Sequence, residues 1–305
     1  MLRFLVRRLV VALLVAATVM TLAFILTRLS GDLATSIAGP NATAADIEAI
    51  RKAYGLDRPV YAQFFDWVGR AVTGDFGESY FFKTRVSALI GERIPVTLTL
   101  GLTGLVIALV VSLPLGILAA VRENTGFDRA VQLVALLGQA MPSFWLGLIL
   151  MIVFGLELGW LPISGTESWQ SFVMPGVVLA FSAIPALTRL TRAGMIQAMG
   201  SDYIRTARAK GLSRASILLK HALRNAAIPV VAIAAVQLGF MLGGSIVIEQ
   251  VFALHGVGFL AWESIGKNDF PVVQAVVLVL ASIYIALTLL ADILNVLLDP
   301  RLRTG

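Results

Sequence analysis

The sequence contains no cysteine and only two histidines among its 305 residues. The first absence excludes a disulfide framework, a thiolate metal site and a cysteine nucleophile. The second leaves almost no imidazole for metal binding or proton transfer. Charge is scarce too: Asp, Glu, Lys and Arg make up 14% of the chain, whereas 58% is hydrophobic. No Gly-x-x-x-x-Gly-Lys-Ser/Thr loop occurs, so the chain lacks the backbone cradle that a phosphate-loop nucleotide site requires. What remains is the composition of a polytopic membrane protein.

A run of about 20 apolar residues, rising about 1.5 Å each, crosses a hydrocarbon layer as a helix. Six such runs fall near Leu9–Leu26, Val96–Ala120, Ala130–Leu156, Phe172–Thr188, Ala226–Ile248 and Val272–Ala291. They lack the short alternation of barrel strands, and in lipid only helices or closed barrels satisfy the backbone. The expected fold is therefore all-α, with six transmembrane helices. Residues 1–29 carry the first span, 30–94 form an outer insertion, and 95–305 hold five more spans with a cytoplasmic loop at 195–225. The first span follows Arg3, Arg7 and Arg8 and precedes Arg28. Its apolar core exceeds the roughly 7–15 residues of a cleavable signal and reads as a retained anchor.

Lys and Arg in short loops set orientation. With the N-terminus inside, the cytoplasmic loops 1–8, 122–129, 189–224 and 301–303 collect 15 of the 24 basic residues. Both termini are then cytoplasmic. The basic pI of about 10.0 follows from these loops, so it points to membrane orientation and not to nucleic acid.

In the insertion, Thr43 caps a helical stretch Ile47 to Tyr54 that Gly55 stops, and a second helix is expected over Val60 to Val72. Phe64, Phe65, Trp67 and Val68 give the latter an apolar side, suited either to an external partner or to packing as a lid on the chain's own helices. In the loop between the fourth and fifth spans, Ser201 and Asp202 open a short helix and Gly211 stops it; Ser213 then caps a second helix leading towards Arg224. Tyr203, Ala207 and Lys210 share one face, with Ile204, Arg208 and Gly211 beside it. Small Ala207 and Gly211 would admit a partner's backbone.

The run Asp202-Tyr203-Ile204-Arg205-Thr206-Ala207-Arg208-Ala209-Lys210-Gly211-Leu212, with His221-Ala222-Leu223-Arg224-Asn225-Ala226 and Ile228-Pro229 after it, resembles the coupling loop of permease subunits of binding-protein-dependent ATP-binding cassette importers. More narrowly it is similar to the dipeptide, oligopeptide and nickel branch. Further pieces recur in order: Gly55-Leu56-Asp57-Arg58-Pro59, Gly74-Asp75-Phe76-Gly77, Pro142-Ser143-Phe144-Trp145-Leu146-Gly147, Gly159-Trp160-Leu161-Pro162, Gly243-Gly244-Ser245, Gly256-Val257-Gly258, Asp269-Phe270-Pro271 and Leu298-Asp299-Pro300-Arg301. Where the wider family has Glu-Ala-Ala, this chain has Arg205-Thr206-Ala207, as in the peptide branch. His255 stands where that branch has proline, and a tight turn is expected at Gly256 to Gly258.

The resemblance implies a type I importer permease in a bacterial inner membrane, a non-catalytic subunit forming half of a pathway for small peptides. Nickel chelates, opines, glutathione, sugars or another small solute are the alternative cargoes. Tyr203, Arg205, Thr206, Ala207, Arg208, Ala209, Lys210 and Gly211 would dock on one or two ATPase subunits, which would hold ATP and magnesium; this chain would bind no cofactor or metal. A second, similar permease subunit and an extracytoplasmic substrate-binding protein would complete the assembly within the lipid.

Glu249 ends a span, where it either meets cargo or a gate or rests as an interfacial carboxylate. Mid-span Gln237 either lines a pathway or hydrogen-bonds another helix. Gly243 and Gly244 mark close helix packing, at a subunit seam or within the chain. Pro114, Pro142, Pro185 and Pro229 would kink or break spans. A secondary transporter or channel would usually carry ionisable groups or paired broken helices inside the bilayer. The spans hold almost none before Asp292. An intramembrane enzyme finds no catalytic set here.

Overall fold

The computed structural model describes residues 2–298 except Ser30 and Pro40, with side chains from Val6 to Leu297. Asp299, Pro300, Arg301 and Arg303 of the sequence reading lie outside the described residues. The helices are α1 Leu2–Leu29, α2 Leu33–Ala38, α3 Ala44–Ala53, α4 Val60–Val72, α5 Val86–Val121, α6 Gly126–Ala140, α7 Ser143–Leu150, α8 Val173–Met199, α9 Asp202–Ala209, α10 Arg214–Ser216, α11 Leu223–Val251, α12 Val257–Gly266 and α13 Phe270–Leu298. Wider π-helical turns follow α7 at Met151–Glu157 and join α10 to α11 at Ile217–Ala222. Among the described residues there is no strand, only an isolated bridge between Glu78 and Arg85.

Among the described residues, five helical segments are long and apolar enough to cross a membrane: Val6–Leu29, Val86–Val121, Trp169–Met199, Arg214–Val251 and Phe270–Leu297. The expected third span is a bent pair of helices, a sixth span if the two cross as one and otherwise a re-entrant loop. Gly126–Ala140 and Ser143–Glu157 meet at 101°. Met141, the residue before Pro142, takes an extended ψ of 128°, because the proline ring excludes the helical conformation from its predecessor. Pro185 and Pro229 lie inside α8 and α11 without ending them. The fourth span runs on to Met199 and so carries Arg189 and Arg192.

The chain divides into two compact units. One comprises Leu2–Thr97 and His255–Ile285. Its core joins Val86 and Ile90 of α5, Val257, Leu260 and Ala261 of α12, and Val272, Ala275 and Val276 of α13. Polar staples surround it. Buried Asp269 accepts from the Tyr80 N–H at 3.0 Å, the Phe81 N–H at 3.3 Å and the Ser79 hydroxyl. Gln274 donates to the Thr27 hydroxyl at 2.6 Å.

Part of the α4 face is covered from within the chain: Phe64 packs edge-to-face and Trp67 tilted against Phe24 of α1, at ring distances of 5.3 and 5.8 Å. Phe65 remains 68% exposed. The tight turn near His255 is displaced from its expected place. Gly256 begins α12, and the left-handed residue is Ala253, with φ 50°. His255 is exposed and meets Phe259 edge-to-face, with ring centres 4.7 Å apart.

The cap on α3 forms as read, as a full capping box: the Asp46 N–H donates to the Thr43 hydroxyl at 3.3 Å, and the Asp46 carboxylate accepts from the Thr43 N–H at 3.0 Å. The Thr43 hydroxyl and N–H together hold the Asp46 carboxyl below the usual carboxylate range. A depressed carboxyl pKa stabilises the folded helix above its unfolded value of about 3.9, and that contribution disappears as pH falls through the folded value. Thr43→Ala is expected to loosen α3 by about 1 kcal/mol, and wild-type α3 to loosen likewise only in acid. Amide hydrogen exchange of residues 44–53 reads both.

The second unit comprises Leu98–Leu254 and, among the described residues, 286–298. Here α8 is the central element, packed on α6 and α11. Close approach is set by glycines other than the expected pair. A Cβ on Gly116 would lie 2.6 Å from Thr191 Cβ, and one on Gly194 would lie 3.1 Å from the Ala226 carbonyl. Gly243 and Gly244 meet nothing within 4 Å and are exposed, so packing within the chain does not account for them.

Asp128, 2% exposed, receives two guanidinium bonds of 2.6 Å from Arg192 of α8. It also accepts from the Asn124 N–H at 3.0 Å and the Gln132 amide at 3.1 Å. Every lone pair of consequence is used, which is the condition for burying a charge pair.

Candidate functional site

The polar corner after α8 is built from local grammar. Gly200 and Ser201 end α8, but the Ser201 hydroxyl donates backward to the Ala198 carbonyl at 2.5 Å and makes no side-chain cap on α9. This departs from the sequence reading. The hydroxyl serves the C-terminus of one helix while Asp202 alone supplies negative charge to the next. At the other end Gly211 takes φ 73°, with its N–H donating to the Arg208 carbonyl at 3.0 Å and the Leu212 N–H to the Ala207 carbonyl at 3.3 Å. This is the left-handed stop expected of glycine. The Ser213 hydroxyl accepts from the Ser216 N–H at 3.3 Å, so the second cap is present. The helix it opens is not a separate one, because it runs through the π segment into α11.

Which residues face outward is only partly as read. Ile204 and Ala207 are buried, and pack with Met195 and Ala198 of α8, Ala120 of α5, Ile217, Ala222 and Ala226. Ala207 therefore does not offer itself to a partner; its small side chain lets α9 lie close on its own chain. Tyr203, Arg205, Thr206, Arg208, Ala209, Lys210 and Gly211 are exposed. The Tyr203 hydroxyl accepts from the Asn225 amide at 2.8 Å, and Arg205 pairs with Asp202. A recess of 540 Å³ beside the corner has Arg208 and Arg214 with Met199, Leu212 and Leu218 in its wall. The result is an exposed basic ridge on a rigid apolar footing. The Ile204 anchor was visible in principle, since Ile204 and Ala207 lie three residues apart on one face.

The four residues considered for a pathway all lie on α11. Gln237 is half-buried in the middle of α11. Glu249 is fully buried, accepting from the Ser245 hydroxyl at 2.9 Å. Its backbone carbonyl accepts from the Leu254 N–H at 2.8 Å, and Phe252 and Leu254, which follow it in the chain, are buried too. Gly243 and Gly244 are exposed and immediately precede Ser245, with open space where their side chains would be. Among the described residues no group of His, Asp and Glu side chains is arranged to hold a metal ion.

Comparison with known proteins adds to this geometry. Residues 112–304 match the family described as "Binding-protein-dependent transport system inner membrane component", and residues 1–101 match its N-terminal companion, "Binding-prot-dependent transport system membrane comp, N-term". Over 275 residues the chain is 43% identical to the glutathione transport system permease protein GsiC of Escherichia coli K12, spanning 90% of each protein. The same values hold for GsiC of Shigella dysenteriae serotype 1. A solved structure of the MetNI methionine ABC transporter in an inward-facing conformation is similar in fold, with a TM-score of 0.59, 20% identity, and coverage of 69% of this chain and 96% of that one.

Proposed function

This chain belongs to the family of binding-protein-dependent transport system inner membrane components and is a permease subunit of an ABC importer; from that premise we propose that it carries small peptides, glutathione among them, and couples to its ATPase through α9. One observation carries the coupling role: α9 presents Arg205, Arg208 and Lys210 outward while Ile204 and Ala207 tie it into the membrane core. A helix fixed in this way passes a push from a partner into the bundle instead of absorbing it.

In this reading the corner and both termini face the cytoplasm and the insertion 30–94 faces outward, as the loop charges ask. The chain itself is non-catalytic. ATP and magnesium bind the partner ATPase subunits, a second homologous permease completes the pathway, and a binding protein delivers cargo. Exposed Gly243 and Gly244 suit the seam with that second permease.

The test is uptake into proteoliposomes holding the assembled transporter. ATP-dependent accumulation of labelled glutathione or dialanine is expected, with none from this chain alone. Accumulation without the ATPase would instead indicate a secondary transporter or channel. Gly211→Trp should abolish most uptake while the chain stays inserted. The left-handed φ adds a local cost of about 1–2 kcal/mol, but a side chain there meets open space within this protein, so the loss arises at the partner. Unchanged uptake with normal assembly would remove α9 as the docking element.

A further inference from the structure

The unit that contains the insertion holds a cleft for which transport coupling supplies no role. Its volume is 1260 Å³, and the end of α1, α4, residues 73–80 and the start of α13 contribute to its wall. Arg28 enters from the last turn of α1, with its guanidinium 5.1 Å from the Phe24 ring centre. Its Nε is buried and has no hydrogen-bond acceptor. Arg70 of α4 lines the same cleft.

The acids of the wall do not neutralise these two arginines. Asp66 is paired with Arg58. Asp75 accepts from the Gly77 N–H at 3.0 Å. Among the described residues, no ion pair joins Arg28 or Arg70 to any carboxylate, Glu78 included. A half-buried guanidinium whose Nε lacks an acceptor, beside a second arginine that is exposed, fits a planar or tetrahedral oxyanion.

Other polar groups point to the same chemistry. Arg28 and Arg70 both act electrostatically on the Tyr80 hydroxyl, which burial pushes up to about 12, so it remains a neutral donor. Gln63 spends its amide N–H groups on the Leu56 and Arg58 carbonyls, at 3.1 and 2.7 Å, while its Oε1 is buried without a partner. That oxygen would accept an N–H or O–H from a ligand. Phe24, Trp67, Phe76 and Phe270 supply an apolar wall.

We propose that this cleft binds the carboxylate or phosphate of a small amphipathic molecule, with Arg28 and Arg70 as its cationic ligands. The inference is independent of which cargo the transporter carries. A soluble acyl-amino acid and a phospholipid headgroup offer the same oxyanion beside an apolar body, and the experiment separates them.

The full chain in phosphatidylcholine nanodiscs is titrated calorimetrically with N-benzoylglycine, and phosphatidylglycerol retained after extraction from mixed vesicles is counted in parallel. Saturable N-benzoylglycine binding that weakens about tenfold or more in Arg28→Gln and Arg70→Gln, and holds in Arg122→Gln, identifies a soluble anion. Retained phosphatidylglycerol lost in the same two variants identifies a lipid. Arg28→Lys keeps the charge without the fork; intermediate binding there shows that the loss in Arg28→Gln is not a failure to fold. If neither probe separates wild type from Arg28→Gln, the site does not exist.

Discussion

Replacing Arg192 by methionine lowers the stability of the inserted chain by about 3–5 kcal/mol, because it strands the Asp128 carboxylate in a protein interior. Asp128 is 2% exposed and takes two of its bonds from Arg192. Without the guanidinium, the Asn124 N–H and Gln132 amide cannot compensate a full negative charge. The pair also fixes the angle between α6 and α8, since the two parallel bonds define a plane. Reversible unfolding in micelles of rising dodecyl sulfate content measures the loss.

The double variant Asp128→Leu with Arg192→Met removes both charges together. It should recover most of the loss, since replacing a whole buried pair by apolar groups is often neutral or stabilising. If Arg192→Met alone matches the wild type, then water reaches Asp128 and the pair contributes little.

Ile204→Asp should reduce ATP-driven uptake by at least about tenfold while leaving the chain in the membrane. Ile204 is fully buried beneath α9, and burying a Leu- or Ile-sized side chain contributes about 1.5–3 kcal/mol. A carboxylate at that place loses this contribution and cannot stay charged among Met195, Ala198 and Ile217 without water. The eight residues of α9 then lift from their footing, and a push from the ATPase reaches only a loose strap. Ile204→Val, which costs about 0.5–1.5 kcal/mol, should retain most uptake. Normal uptake by Ile204→Asp, with the ATPase still bound, would show that energy enters the bundle elsewhere.

These two sites differ in how far the sequence announces them. The Thr43 cap, the Val60–Val72 helix and the Gly211 stop were legible because each is decided by residues within one or two turns. Five spans were legible from length and apolarity alone. The Asp128–Arg192 pair was not, since 64 residues separate its members and each looks in sequence like an ordinary loop charge beside a span.

The direction of Ala207 was misread for a related reason. A helix of eight residues offers two plausible inner faces, and only the presence of Met195, Ala222 and Ala226 on one side decides between them. The burial of Glu249 at the end of α11 likewise is decided by tertiary packing, which no local rule specifies. The third span broke at a proline that the sequence displayed, but a kink and a turn of 101° look the same from composition.

The wide turn at Ile217–Ala222 stands between the corner and the body of α11. A π turn stores one residue more than an α turn, so it is a reserve of chain within a long helical rod. Drawing out that reserve would screw the segment before it around the helix axis by about 100° and along it by about 1.5 Å relative to the segment behind. Arg214 and the Ser213 cap would swing as a crank handle, while Pro229 and the turns beyond stayed in register.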